Sequence, residues 1–126
     1  MLSLREPQVQ ALAEPRRSDL EGRLARHARD CFPAAQALGP AALREVVRYG
    51  VDRALDHGID TERGVCRYLN LMFVFGRDFD QDPRLPWAEQ ILSGARLRRG
   101  VSTIELLCRE ALRHEAAAQG LAGGRS

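Results

Sequence analysis

The chain contains 126 residues, of which 44% are hydrophobic and 29% are charged, and its formal net charge is +2. This length suits one domain with a single hydrophobic core, and the composition is typical of a soluble globular protein. So small a net charge argues against nucleic acid or an anionic membrane as a partner. All 19 basic residues are arginine, so the presence of arginine alone says little about phosphate recognition.

Three widely separated cysteines, Cys31, Cys66 and Cys108, each fall within an apolar helical pattern. We therefore expect reduced thiols that pack as small hydrophobic side chains, and the absence of a CxxC pair argues against a zinc site. The N-terminus has no basic-then-apolar signal, and no apolar run approaches the roughly 18 residues of a membrane span. The expected location is the cytoplasm, with no membrane as a partner.

Hydrophobic periodicity predicts helices in the N-terminal half of the chain. Residues 7–13 are expected to form a short helix, which the Glu14–Pro15 step should interrupt. A second helix is predicted over residues 18–31 and a third over residues 40–57, with Gly58 as a left-handed stop. The buried stripe of the second helix is expected to contain Leu20, Leu24, His27, Ala28 and Cys31.

The C-terminal half is predicted to be helical as well. A fourth helix, apolar on several faces, is expected to begin at an Asp60 N-cap and to stop at Gly76. A short fifth helix is predicted over residues 86–92. A sixth opens with a Ser102–Glu105 capping box and stops at Gly120, and residues 121–126 should fray. The sequence therefore predicts an all-α protein, a single compact bundle of five or six helices, with one domain over residues 1–120.

The segment between the fourth and fifth helices is acidic, with Asp78, Asp80 and Asp82 at every second position. Counted from Asp78, these residues and Glu89 fall at positions one, three, five and twelve of a calcium-binding loop. Position six of such a loop needs glycine for a sharp turn, and here it is Pro83, whose φ is locked negative. We therefore favour aspartates that cap nearby N–H groups or pair with arginines, with no metal bound.

The only tryptophan, Trp87, follows a proline at the start of the fifth predicted helix. Tryptophan is enriched at binding hot spots, so Trp87 is a candidate anchor for a partner. The alternative interpretation is structural. Large aromatic side chains are highly buried on average, and Trp87 would then fold back onto the fourth helix and close the core.

A basic turn precedes and enters the last helix, with Arg96, Arg98, Arg99, Arg109 and Arg113. Such a turn can grip phosphates, which makes a small DNA-binding regulator the alternative function. Glutamates are interleaved with these arginines and no aromatic residue accompanies them. The mixture is more typical of a solvated helix face, and nucleic acid is not the expected partner.

No catalytic motif is present: the sequence has no HExxH, no GxSxG and no phosphate-cradling glycine loop. His27, His57 and His114 are scattered, and His27 is expected to be a core residue because it falls on an apolar stripe. Burial in a helix should raise the pKa of Cys66 and suppress its nucleophilicity. We therefore expect no enzyme and no cofactor.

The chain contains a series of short motifs, which are Tyr49-Gly50-Val51, Gly58-Ile59, Cys66-Arg67-Tyr68, Leu71-Met72-Phe73, Gly76-x-Asp78-Phe79-Asp80-x-Asp82-Pro83 and Leu85-Pro86-Trp87-Ala88. These motifs resemble those of a group of small all-helical bacterial proteins encoded among effector and spike genes of type VI secretion systems. The likeness covers most of the chain up to about residue 92.

The resemblance implies a small cytoplasmic helper protein without enzymatic activity. It would be an adaptor or chaperone for a secreted effector, or an immunity protein against one, and its partner would be that effector or a spike protein. The residues expected to contact the partner are Asp78, Asp80, Asp82 and Trp87.

Overall fold

The computed structural model describes residues 8–94 and 102–123, with side chains as far as His114. The described residues form six α-helices, which confirms the predicted all-α class with five or six helices. A 3-10 turn, Val9–Ala11, precedes the first helix, and another, Phe79–Gln81, follows the fourth. The α-helices are α1 (Glu14–Cys31), α2 (Pro33–Gln36), α3 (Pro40–Asp56), α4 (Glu62–Phe75), α5 (Pro86–Ser93) and α6 (Thr103–Gly123).

The chain divides into two compact units. Unit 1 contains the described residues up to Asp78, with α1 to α4, and unit 2 begins at Phe79 and contains α5 and α6. One domain over residues 1–120 stays a prediction. Among the described residues, no helix combines the length and the apolar character that crossing a membrane requires.

The start of α1 differs from the prediction. Pro15 lies in its first turn, where a missing N–H costs nothing, so it begins this helix instead of interrupting an earlier one. Among the described residues before it, Val9–Ala11 form a 3-10 turn and no α-helix. The buried arc of α1 runs through Glu21 and Ala25 as well as the predicted leucines, and this rotation leaves His27 and Cys31 exposed at its edge. The prediction that both are core residues is therefore wrong.

The connection between α3 and α4 is short and closely hydrogen bonded. Gly58 has a φ of 81°, the left-handed stop that we predicted. Thr61, and not Asp60, is the N-cap of α4, because its Oγ1 accepts a hydrogen bond from the Gly64 N–H at 3.0 Å. The Asp60 carbonyl instead accepts from the Val9 N–H at 2.6 Å, which ties the N-terminal 3-10 turn to this connection.

The structure confirms the predicted end of α4 and the predicted cap at the start of α6, but not the predicted end of α6. Gly76 follows α4 with a φ of 117°, a backbone conformation that L side chains rarely adopt, so this predicted stop is confirmed. The Ser102 hydroxyl accepts from the Glu105 N–H at 3.3 Å, which confirms that half of the predicted capping box. The expected stop at Gly120 is wrong, since α6 continues to Gly123. Glycine lowers helix stability by only about 1 kcal/mol and does not by itself end a helix.

Helices α3 and α4 approach closely at Gly50, which is buried. A Cβ atom built on Gly50 would lie 2.7 Å from the Met72 sulfur and closer still to Cδ2 of Leu69. Both of these side chains are buried on α4. Because interiors are close-packed, neither can retreat without disturbing the core.

A buried carboxylate joins α1 to α3. The Glu21 side chain is 6% exposed, and its oxygens lie 3.6 Å from Arg17 Nε, 3.7 Å from Arg44 Nη2 and 3.7 Å from Arg48 Nε. Arg17 also pairs with Asp52 of α3 at 2.6 Å. The three guanidinium groups balance a charge that would otherwise be costly to bury.

We predict that Gly50→Ala lowers the free energy of unfolding by about 1–3 kcal/mol, because the added methyl group overpacks the α3–α4 contact. Gly22→Ala is the matched control. It also lies inside a helix, but its added Cβ would meet only the end of the flexible Arg44 side chain, at 3.0 Å. The control should be neutral or stabilising by up to about 1 kcal/mol, from helix propensity. Urea denaturation measures both, and equal effects would contradict the close approach at Gly50.

Glu21→Gln should lower the free energy of unfolding by about 1–2 kcal/mol. The figure is below the usual cost of breaking a fully buried pair because Arg44 and Arg48 are partly exposed. The control is Glu45→Gln on the exposed face of α3, which should change stability by less than about 0.5 kcal/mol. Thermal denaturation of the two variants tests this. Equal melting temperatures for Glu21→Gln and Glu45→Gln would show that Glu21 does not stabilise the fold.

Candidate functional site

Unit 1 contains an apolar groove with a volume of about 450 Å³. We call it the apolar groove. Val74, on its wall, is 47% exposed, although large hydrophobic side chains on helices usually turn inward. The groove is lined by Ala34, Leu38, Val46, Met72, Phe73, Val74, Phe75, Gly76 and Arg77.

A group of three polar side chains lies at the Arg77 end of this groove, and we call it the polar corner. The Tyr49 hydroxyl of α3 donates a hydrogen bond to Oδ1 of Asp78. The guanidinium carbon of Arg77 lies 4.0 Å from the centroid of the Tyr49 ring, in a cation–π contact. Gly76 makes the corner possible, because its positive φ ends α4 immediately before Arg77 and Asp78.

The polar corner changes the acidity of Tyr49. The hydrogen bond to Asp78 raises the pKa of the phenol, and desolvation and the negative charge of Asp78 raise it further. Arg53 and Arg77 act in the opposite direction and do not reverse the result. The protonated phenol therefore persists above its ordinary range, and its contribution to stability is lost only as the pH rises through the raised pKa.

The other predicted site residues lie in unit 2. Asp80 is 3% exposed and Trp87 is 8% exposed, so both are buried. The Trp87 ring stacks on His114 of α6, with centroids 5.1 Å apart. Burial favours the structural interpretation of Trp87 over a binding anchor. A role of Asp78, Asp80, Asp82 and Trp87 in partner binding stays a prediction, and Asp78 is the only one of the four that is exposed.

Asp82 is engaged by Arg84 within the same turn. Its oxygens accept from Arg84 Nη2 at 2.9 Å, from Nε at 3.1 Å and from the Arg84 backbone N–H at 2.9 Å. These hydrogen bonds hold the pKa of Asp82 below its ordinary value. Glu89, which falls at position twelve of the calcium-loop pattern, is exposed on α5. The part of the chain that the structure describes contains no group of three or more His, Cys, Asp or Glu residues placed to hold a metal ion.

The structure describes only part of the basic stretch around the start of α6. Arg96, Arg98 and Arg99 lie outside the described residues. Arg109 is exposed on α6, and Arg113 pairs with Glu110 at 2.8 Å. The described part of this surface is thus a mixed-charge helix face, as expected for solvated residues.

The sequence did not predict one group of polar side chains, which contains His27, Cys31 and Asn70. His27 and Cys31 lie one turn apart on α1, with Cys31 Sγ 3.7 Å from His27 Nδ1. The other ring nitrogen, Nε2, lies 3.2 Å from Oδ1 of Asn70 on α4. The spacing of His27 and Cys31 was visible in the sequence, but the meeting with Asn70 depends on how α1 packs against α4. Cys66 behaves as expected: burial first, and then the nearby Cys31, raise the pKa of its thiol.

No protein-family model, curated protein or solved structure matches the chain. The geometry of the groove, the polar corner and the Cys31 cluster is therefore the basis for assigning a function.

We predict that Asp78→Asn lowers the pKa of Tyr49 toward the ordinary phenol value of about 10, because the variant removes the negative acceptor. The ultraviolet absorbance of the phenolate, followed against pH, measures this. Tyr49→Phe identifies the titration step, since it should delete that step. A Tyr49 titration that Asp78→Asn leaves unchanged would show that the two residues are not coupled in solution.

Proposed function

We propose that the protein is a non-enzymatic protein-interaction module of the cytoplasm, and that the apolar groove binds a helical segment of a partner protein. The single observation that carries the proposal is the groove itself, with Val74 exposed on its wall and a polar corner at one end. An apolar centre with a polar rim is the usual anatomy of a protein–protein interface.

The groove suits an amphipathic helix. Its walls come from three segments, α2 with the turn after it, α3, and the last turn of α4, so it is an open channel between helices and not an enclosed cavity. Amphipathic helices bind such channels through apolar side chains at positions i, i+3 or i+4, and i+7. Removing Val74, Val46 and the aliphatic wall around Leu38 from water would supply the favourable free energy.

The polar corner indicates which kind of side chain the partner should present. Asp78 is exposed and uses Oδ1 to accept from Tyr49, and an ionised carboxylate can accept several further hydrogen bonds. A basic side chain on the partner helix, placed beyond its apolar stripe, would therefore meet a preoriented acceptor. Such rim contacts supply specificity and association rate more than affinity.

We further propose a biological setting, taken from the resemblance of the sequence motifs to helper proteins of type VI secretion loci. In that setting the bound helix would belong to a secreted effector or to a spike protein. The protein would act as an adaptor or chaperone if it delivers its partner, and as an immunity protein if it neutralises one.

The test is affinity capture of the tagged protein from its own organism, with wild type compared with Val74→Arg. A cation is tolerated near a helix C-terminus, so this variant should remain folded while it introduces a charge into the groove. Leu112→Arg is the matched control, since Leu112 is 68% exposed on α6 of unit 2. We expect one protein that wild type and the control retain and that Val74→Arg loses. With the purified partner, Val74→Arg should raise the dissociation constant at least about tenfold and Asp78→Asn less.

The outcomes separate the alternatives. A partner that binds Val74→Arg as tightly as wild type would overturn the groove as the binding site. Nucleic acid in the eluate without a protein would replace the proposal by the DNA-binding regulator. Protection of cells that express a cognate toxin would identify an immunity protein, whereas loss of soluble effector after deletion of the gene would identify a chaperone.

A further inference from the structure

A nucleophile, a base and an orienting amide are grouped on the surface of unit 1, and none of the three lines the apolar groove. The Cys31 thiol is exposed, and it lies 3.7 Å from Nδ1 of His27. Asn70 Oδ1 lies 3.2 Å from the other ring nitrogen. The Phe32 ring meets the imidazole edge-on at 6.3 Å and stacks on Phe73, which limits the positions open to the imidazole. The group therefore combines two residues of one helix with one residue of another.

The hydrogen bonds assign the tautomer of His27. An amide oxygen only accepts, so in the neutral imidazole the Nε2 atom that faces Asn70 Oδ1 carries the ring proton. In that tautomer Nδ1 has no proton, and it is the atom that lies beside the Cys31 sulfur. A thiol beside a free imidazole nitrogen, with the imidazole oriented by a third group, is the arrangement of an activated nucleophile.

The backbone around Cys31 decides which electrophile this thiol can attack. Acyl transfer needs N–H donors directed at a developing oxyanion. The Phe32 N–H is already bonded to the Ala28 carbonyl at 2.8 Å, and Pro33 has no N–H. Cys31 also ends α1, where carbonyl groups and not N–H groups are exposed. Thiol–disulfide exchange needs no oxyanion donor, only a proton acceptor for the thiol and a proton for the leaving sulfur.

We propose that Cys31 is a modification site that exchanges with small disulfides and so becomes a mixed disulfide. His27 Nδ1 takes the thiol proton while the Cys31 sulfur attacks one sulfur of the disulfide. The bond between the two sulfurs of the small molecule breaks, a new bond forms to Cys31, and the departing thiolate receives the proton from His27. The small disulfide is the oxidant and is consumed in equal amount, so the balance needs no other reagent. The proposal is independent of the apolar groove and of its partner.

The other two cysteines provide a comparison within the same molecule. Cys66 and Cys108 are only partly exposed. Burial and the proximity of Cys31 raise the pKa of the Cys66 thiol, which leaves less thiolate at neutral pH. Cys31 should therefore react first.

The experiment measures the rate at which oxidised glutathione modifies each cysteine at neutral pH, by mass spectrometry of the intact protein. One variant retains only Cys31 (Cys66→Ser, Cys108→Ser), and a second retains only Cys66. We expect Cys31 to react at least about tenfold faster than Cys66 and than a cysteine in an unstructured peptide. Adding His27→Ala should remove the advantage over the peptide, and free imidazole in solution should restore part of it.

Asn70 acts as a positioning residue, and its variants test that role separately. Asn70→Asp retains an acceptor for Nε2 and should preserve the rate, whereas Asn70→Leu should lower it. Circular dichroism of each variant shows whether the helices are retained. The proposal is overturned if Cys31 reacts no faster than the peptide cysteine, if His27→Ala leaves its rate unchanged, or if Cys66 reacts first.

Discussion

The close approach of α3 and α4 at Gly50 is the constraint on which unit 1 depends. With no side chain at this position, Leu69 and Met72 occupy the space that a Cβ atom would fill. Met72 also lines the apolar groove, and Tyr49, the residue before Gly50, belongs to the polar corner. A single glycine therefore determines how near the two walls of the candidate binding site lie to each other.

Local signals in the sequence predicted helix boundaries well where a single residue ends or caps the helix. The glycine stops at Gly58 and Gly76 and the Ser102 cap are local, because each requires only a left-handed or N–H-accepting residue at one position. The cap at Thr61 was missed since two adjacent residues, Asp60 and Thr61, can both cap a helix. The Asp60 carbonyl accepts from the N–H of Val9, which is distant in sequence, and a local pattern does not predict such a contact.

The candidate sites were harder to predict than the helices, for a reason that α1 illustrates. A periodic pattern shows that a helix has an apolar face, but a rotation of one residue moves the edge of that face. Glu21 was absent from the predicted buried stripe, and it is buried with three arginines from two helices around it. Cys31 looked buried and is exposed, beside an Asn70 that only tertiary packing brings near. The acidic loop was similarly ambiguous, since regular spacing does not distinguish the exposed Asp78 from the buried Asp80.

The stacking of Trp87 on His114 has a practical consequence for spectroscopy. Trp87 is the only tryptophan in the chain and belongs to unit 2, whereas both tyrosines, Tyr49 and Tyr68, belong to unit 1. Indole fluorescence excited at the red edge of its absorption therefore monitors unit 2 alone, and the emission comes from a ring stacked on an imidazole. Phenol absorbance monitors unit 1. The protein thus carries two built-in chromophore sets that follow its two units separately without any label.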